Sequence, residues 1–432
     1  MHPIEEIVRR QKNGEKVGIW SCCSANPFVL RAALQRGLER HVPVLIEATA
    51  NQVNQFGGYT GMRPEDFYLY VRELAGQAGL PEEQLILGGD HLGPLTWTEL
   101  PENEAMDNAE ELVRQFVLAG FTKIHLDTSM CLSSDDPAVR LPDEKIARRG
   151  ARLCAAAERA FAERAAAVPG AQKPVYIIGS EVPIPGGAQQ AEDHVSVTRP
   201  GDCLATWNAF EKAFGERKLA DAWSRVVGMV VQPGVEFGDR DIFAYRPEAA
   251  RELTALLKKL PIVFEGHSTD YQTPECLRAM VCDGIAILKV GPALTFALRE
   301  ALFSLEAIET ELFMGTGAAR SEFRAVLEHE MLKDSGNWEK HYHGDGNETK
   351  LARAFSFSDR ARYYLPKPAV QASIGRLIGN LSSAEIPLSI LNQYLPVQYR
   401  RVREGKLENS PQALLTDRVG DCIDEYLCAC QG

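Results

Sequence analysis

The stretch Leu85-Ile86-Leu87-Gly88-Gly89-Asp90-His91 runs from three apolar residues through two glycines into an acidic and an imidazole side chain. A short apolar run bounded by turn residues and followed by an amphipathic pattern reads as a buried strand of a parallel βα unit. Its polar pair then stands at the carboxyl end of the strand. The same grammar recurs on either side. Strands are expected at Val17–Cys22, Val42–Ala48, Leu85–His91, Lys123–Thr128, Val175–Glu181, Val226–Gln232, Ile262–His267 and Ile285–Val290. Helical patterns follow, among them Pro64–Ala78, Ala105–Ala119, Glu144–Ala167 and Ala293–Glu306. Eight such repeats close a cylinder, so the expected class is α/β, a (β/α)8 TIM barrel. A doubly wound open sheet competes with it, but no G-x-G-x-x-G follows the first strand. The barrel is expected over residues 1–310. Residues 311–432 read as a C-terminal helical extension packing on it, with helical patterns around Ser321–Leu332, Ala369–Leu381 and Asp417–Cys428.

Composition limits the partners. The 432 residues are 45% hydrophobic and 25% charged, as in a globular protein with a substantial core. A net charge of −12 without a Lys/Arg cluster argues against nucleic acid. Met1–Gly14 is polar and charged, unlike a secretory signal, and no run approaches the ~18 apolar residues of a membrane span. A cytoplasmic protein without membrane contact is expected. The ten cysteines show no metal-finger spacing, so reduced thiols are expected, with Cys22 a small buried residue at a strand end.

Active sites of such barrels assemble at the carboxyl ends of the strands. Those ends here carry Ser21, Glu47, Asp90 with His91, Asp127, Glu181, Gln232, His267 with Asp270, and Lys289. A few polar residues there would be helix caps, but a polar group at every end points to a site. His91, Glu181 and His267 are of the types that bind a divalent transition metal while leaving positions open to substrate oxygen. Zinc is the first expectation, with manganese, nickel or cobalt as alternatives. His125 shares a face with Asp127 and is expected as a support below the ligands. Asp90 and His91, as neighbours, reach one site only if the strand breaks its pleat, for which Gly88-Gly89 and Gly93-Pro94 provide the means. Asp90 is then placed to exchange a proton with a substrate hydroxyl, with Glu47, Asp127 and Lys289 as further catalytic candidates. Lys289 reads equally well as the partner of an inward carboxylate. Ser21, Gln232, Ser268, Thr269 and Asp270 are substrate-binding candidates. The loops Pro185-Gly186-Gly187-Ala188 and Ser268-Thr269-Asp270 could cradle a phosphate, although Asp270 would repel one unless it points away. Pro183–Arg199 reads as an active-site loop, and His341–Gly346 as a solvated loop before a metal site. No G-x-x-x-x-G-K-[ST] loop supports a sugar-phosphate kinase, the least favoured reading.

These residues lie in longer stretches that closely resemble the tagatose-bisphosphate aldolase accessory-subunit family. The stretches are Glu47–Gln55, Gly88–Pro94, Gly179–Pro183, Val231–Phe237, Gly266–Gln272 and Phe355–Tyr364. The resemblance implies a class II aldolase-like barrel acting in ketose catabolism, of the galactitol or tagatose type. It also implies Asp90 and His91 as acid/base and first metal ligand, Glu181 as a metal-proximal carboxylate and His267 as a later ligand. Gln232, a weaker ligand, stands where the aldolases place another histidine, which puts ordinary aldolase activity in doubt. Two readings follow: a metal-dependent ketose or ketose-6-phosphate 4-epimerase of the fructose/tagatose type, or a non-catalytic, chaperone-like partner of a class II aldolase catalytic subunit. A homo-oligomer is expected in either case.

Overall fold

The computed structural model describes residues 1–179 and 195–431. Eight parallel strands form a closed barrel: β1 (Ile19–Cys22), β2 (Val44–Thr49), β3 (Leu85–Leu92), β4 (Lys123–Leu126), β5 (Val175–Ile178), β6 (Val226–Val231), β7 (Val263–Gly266) and β8 (Ile285–Val290). Each pairs with its neighbours in sequence, and β8 closes on β1 with Ile19 opposite Ile287 and Cys22 opposite Val290. The strands read as continuous apolar runs because both faces are covered. Helices form where amphipathic patterns follow a cap or a first-turn proline. Asn26 Oδ1 accepts from the Phe28 N–H before Pro27–Arg40, and Pro64–Ala78 ends on Gly79 at φ 74°. The expected elements are present with their ends shifted. Asp127, Gln232 and His267 lie one residue past their strands.

Several elements have no counterpart in the sequence reading, among them two around the barrel and, in the C-terminal part, helices Gly346–Phe355, Leu388–Tyr394 and Pro396–Arg403. Helix Pro3–Lys12 closes the amino end of the barrel, packing Ile4, Ile7 and Val8 into an apolar layer with Ile19, Leu45 and Ile287. That spacing is one helical face set among charged residues. A two-stranded hairpin, Glu236–Phe237 with Ile242–Phe243, follows β6.

The C-terminal residues form helices Phe323–Lys333, Gly346–Phe355, Pro368–Ser382, Leu388–Tyr394, Pro396–Arg403 and Pro411–Gln431. The last returns to the barrel and packs against Pro27–Arg40, Pro274–Cys282 and Pro292–Phe313. It is fastened there by the Gly18 N–H donating to the Cys430 carbonyl at 2.9 Å and the Tyr426 hydroxyl donating to the Thr269 carbonyl at 2.8 Å. Within His341–Gly346, Asp345 caps helix Gly346–Phe355 and Tyr342 is buried. Among the described residues no helix is long and apolar enough to cross a membrane.

Candidate metal site

Inward-facing side chains stack in layers above the apolar floor. In the first polar layer Lys123, fully buried, lies 2.5 Å from Glu47 Oε1 and 2.8 Å from Glu265 Oε2. The Ser21 hydroxyl donates to Glu47 Oε2 at 2.5 Å. Burial pushes the Glu47 carboxyl up. At Glu265 burial acts the same way, but the Lys123 ammonium and the bond to His267 outweigh it and hold that carboxyl well below its usual range. Glu47 and Ser21, candidates for catalysis and substrate binding, therefore sit beneath the cavity rather than in its wall.

Above this layer three imidazoles converge. Ring centroids are 5.1 Å apart for His91 and His125, 4.9 Å for His91 and His267, and 5.3 Å for His125 and His267. Each ring has a carboxylate on one nitrogen: Asp127 Oδ2 lies 2.7 Å from His91 Nδ1, Asp90 Oδ1 2.8 Å from His125 Nδ1, and Glu265 Oε1 2.9 Å from His267 Nε2. The opposite nitrogens, His91 Nε2, His125 Nε2 and His267 Nδ1, are buried without a hydrogen-bond partner among the described residues. The His91 N–H also donates to His125 Nδ1 at 3.2 Å, so this nitrogen faces both a backbone donor and the Asp90 carboxylate. Burial lowers the His91 imidazole and takes His267 down to about 3, so both are neutral near pH 7. A neutral imidazole with a carboxylate behind it and a bare nitrogen in front is the form that ligates a divalent metal. Donor atoms of Asp90, His125, Glu265 and His267 also lie within 4.8 Å of one another. Of these, Asp90 and Glu265 are already in ion contact with Lys289 and Lys123, which leaves His125 and His267 as the free donors of that group; His91 stands beside it, its ring centroid 5.1 and 4.9 Å from theirs.

The chain pays a local strain to build this cluster. The β3–β4 register shifts between Gly89 and Leu92, and His91 takes a left-handed φ of 47°. That is the pleat break needed to bring Asp90 and His91 to one place. Gly93 permits the return, since a Cβ there would stand 1.6 Å from the Asp127 carbonyl oxygen. Burial works against ionisation of Asp90, but His91, Lys289 and the His125 bond hold its carboxyl well below its usual range.

The cluster opens into a cavity of about 390 Å³ whose wall includes His91, His267, Ser268, Asp270, Lys289 and, from the extension, Arg362. Lys289 is thus both a partner of an inward carboxylate and part of the wall. Thr269 is buried and donates to the Lys289 carbonyl at 2.6 Å, while Asp270 Oδ1 accepts from the Gly291 and Ala293 N–H groups. Gln232, expected as ligand or substrate contact, has its Oε1 accepting from the Gly234 and Val235 N–H groups at 2.8 and 3.0 Å. Glu181, the loop Pro185-Gly186-Gly187-Ala188 and most of Pro183–Arg199 lie outside the described residues. The sequence reading omitted Lys123, Glu265 and Arg362. The first two share strand faces with His125 and His267 at a spacing of two, a signal that was available.

The family model described as D-tagatose-1,6-bisphosphate aldolase subunit GatZ/KbaZ-like matches residues 4–431. The chain belongs to the GatZ/KbaZ-like family. A solved structure from Sinorhizobium meliloti 1021, described as a "probable tagatose 6 phosphate kinase", is 46% identical with a TM-score of 0.86, over 96% of this chain and 100% of that one. A fructose-bisphosphate aldolase from Campylobacter jejuni is 14% identical with a TM-score of 0.42, over 90% and 94%. Within the GatZ/KbaZ-like chain, Gly88–Pro94 and Gly266–Gln272 carry two of the three imidazoles. The segment Phe355–Tyr364 docks at the cavity through Asp359, which accepts from Thr295 Oγ1 at 2.6 Å and Arg299 Nε at 2.7 Å.

Proposed function

We propose that the protein is a metal-dependent 4-epimerase of fructose-type and tagatose-type ketoses or their 6-phosphates. One observation carries this reading: three buried imidazoles with ring centroids 4.9–5.3 Å apart, each backed by a carboxylate, each keep one nitrogen without a hydrogen bond, and two of them, His91 and His267, line a polar cavity. His91, His125 and His267 would hold a divalent metal, zinc first. Bound there, it would stabilise negative charge developing on substrate oxygens. The ionised Asp90, in contact with Lys289 of the cavity wall, accepts the proton of the C4 hydroxyl. The C3–C4 bond then breaks with its electrons passing to the C1–C3 fragment and C4 becoming an aldehyde. Re-addition to the other aldehyde face, with the proton returned from Asp90, inverts C4. Lys289 holds Asp90 ionised, and Asp127 orients His91.

The family description, an aldolase subunit, favours a second reading: a non-catalytic partner that stabilises a class II aldolase. Both are tested by incubating the purified chain alone with fructose, tagatose and their 6-phosphates, with and without chelator. Chelator-sensitive C4 inversion supports the enzyme, and its absence from metal-loaded protein removes it. Greater stability of a partner aldolase on mixing supports the subunit. No G-x-x-x-x-G-K-[ST] loop is present in the sequence to favour a kinase.

A further inference from the structure

Barrels of this type often seat a phosphate at the loops after strands seven and eight, on the N–H groups that open a helix. In this chain that seat is filled by a carboxylate of its own. Asp270 is buried, and its Oδ1 accepts from Gly291 and Ala293 at 3.0 and 2.8 Å, at the start of helix Pro292–Phe313. A phosphate arriving there would meet a fixed negative charge and donors already engaged.

The extension supplies an alternative. The described cavity wall carries one lysine and one arginine, Lys289 and Arg362. Lys289 is neutralised by Asp90. Arg362 has no ion-pair partner among the described residues. It donates to the carbonyls of Ser358 and Asp359 and, at 2.9 Å, to the Tyr363 hydroxyl, and its guanidinium lies 4.4 Å from the Tyr363 ring centroid. These neutral contacts fix the group; Asp359 and Asp270 act on its charge through space, but neither forms a direct ion pair with it. The anchoring of Asp359 to Thr295 and Arg299 holds the segment in place before any ligand arrives. A planar, permanently charged fork in a cavity is suited to a phosphate dianion.

We propose that the cavity selects a ketose monophosphate over both the free ketose and the bisphosphate: Arg362 takes the single phosphate, and Asp270 closes the second phosphate seat. This rests on the sugar reading above but is separable from it. The test is calorimetric titration of the metal-loaded protein with fructose, fructose 6-phosphate and fructose 1,6-bisphosphate. Fructose 6-phosphate should bind at least about tenfold tighter than fructose, with the bisphosphate no tighter than the monophosphate. Arg362→Gln should abolish the tenfold advantage, and Arg362→Lys should retain part of it. Equal binding of fructose and fructose 6-phosphate by the wild-type protein, a clear gain from the second phosphate, or an unaltered ratio in Arg362→Gln would overturn the proposal. The wild-type comparison holds even if a variant misfolds. Phosphate preference without C4 inversion would defeat the epimerase and leave this proposal standing, whereas inversion of fructose with no gain from a phosphate would do the reverse.

Discussion

Two charged layers lie one above the other inside this barrel, and they are built to opposite rules. In the lower, Glu47, Lys123 and Glu265 are in direct ion contact and Ser21 completes the set. In the upper, three imidazoles each accept or donate a hydrogen bond on one nitrogen and make none on the other, His91 Nε2 lying 3.6 Å from Asp90 Oδ2. Buried polar groups are ordinarily paired, because desolvation without a partner costs about 1–3 kcal/mol per group. The lower layer compensates its burial by ion contact, although Glu47 Oε1, Lys123 Nζ and Glu265 Oε2 make no regular hydrogen bond, and reads as support. The upper leaves one nitrogen on each of three neighbouring rings without a hydrogen bond and without a cation to offset it, and that is tolerable where a ligand supplies the missing partner. Glu265 joins the layers, since it holds both Lys123 and His267.

The contrast can be broken most forcefully from below. Lys123→Met leaves two buried carboxylates without their cation and should cost about 3–5 kcal/mol of stability, read from denaturant unfolding. A loss under 1 kcal/mol would mean the lower layer is not structural. From above, zinc at 100 times its dissociation constant should stabilise the fold by about 2.7 kcal/mol, visible as a raised Tm that chelator reverses. Asp127→Asn, which weakens the support of His91 without touching the cavity, should lower metal affinity about 10–100-fold in a chelator competition. Unchanged affinity would separate Asp127 from the site. Gln232→Ala is expected to have the smallest effect. It removes a turn acceptor worth about 0.5–1.5 kcal/mol and should leave metal affinity as it was. A tenfold loss of metal would instead restore Gln232 as a ligand.

The barrel was legible because parallel strands buried on both faces leave unbroken apolar runs, each followed by a helical period. Helix Pro3–Lys12 escaped because its apolar face is only Ile4, Ile7 and Val8 among charges. The hairpin after β6 escaped because its strands are two residues long. At the site, Asp90, His91 and His267 stood out as polar ends of apolar strands. Lys123 and Glu265 did not, being charged residues within strands, where the apolar reading passes over them. Strand alternation from His125 and His267 points to both. Arg362 lies outside the barrel in sequence, and only the docking of Phe355–Tyr364 brings it to the cavity, which no local pattern encodes.

X-ray absorption spectroscopy at the zinc edge of the metal-loaded protein, compared with His125→Ala, bears most directly on the convergence of the three rings. Scattering from three imidazoles, falling to two in the variant, is the expected result. A zinc shell of carboxylate and water oxygens unaffected by His125→Ala, or a protein that retains no zinc after dialysis, would contradict it.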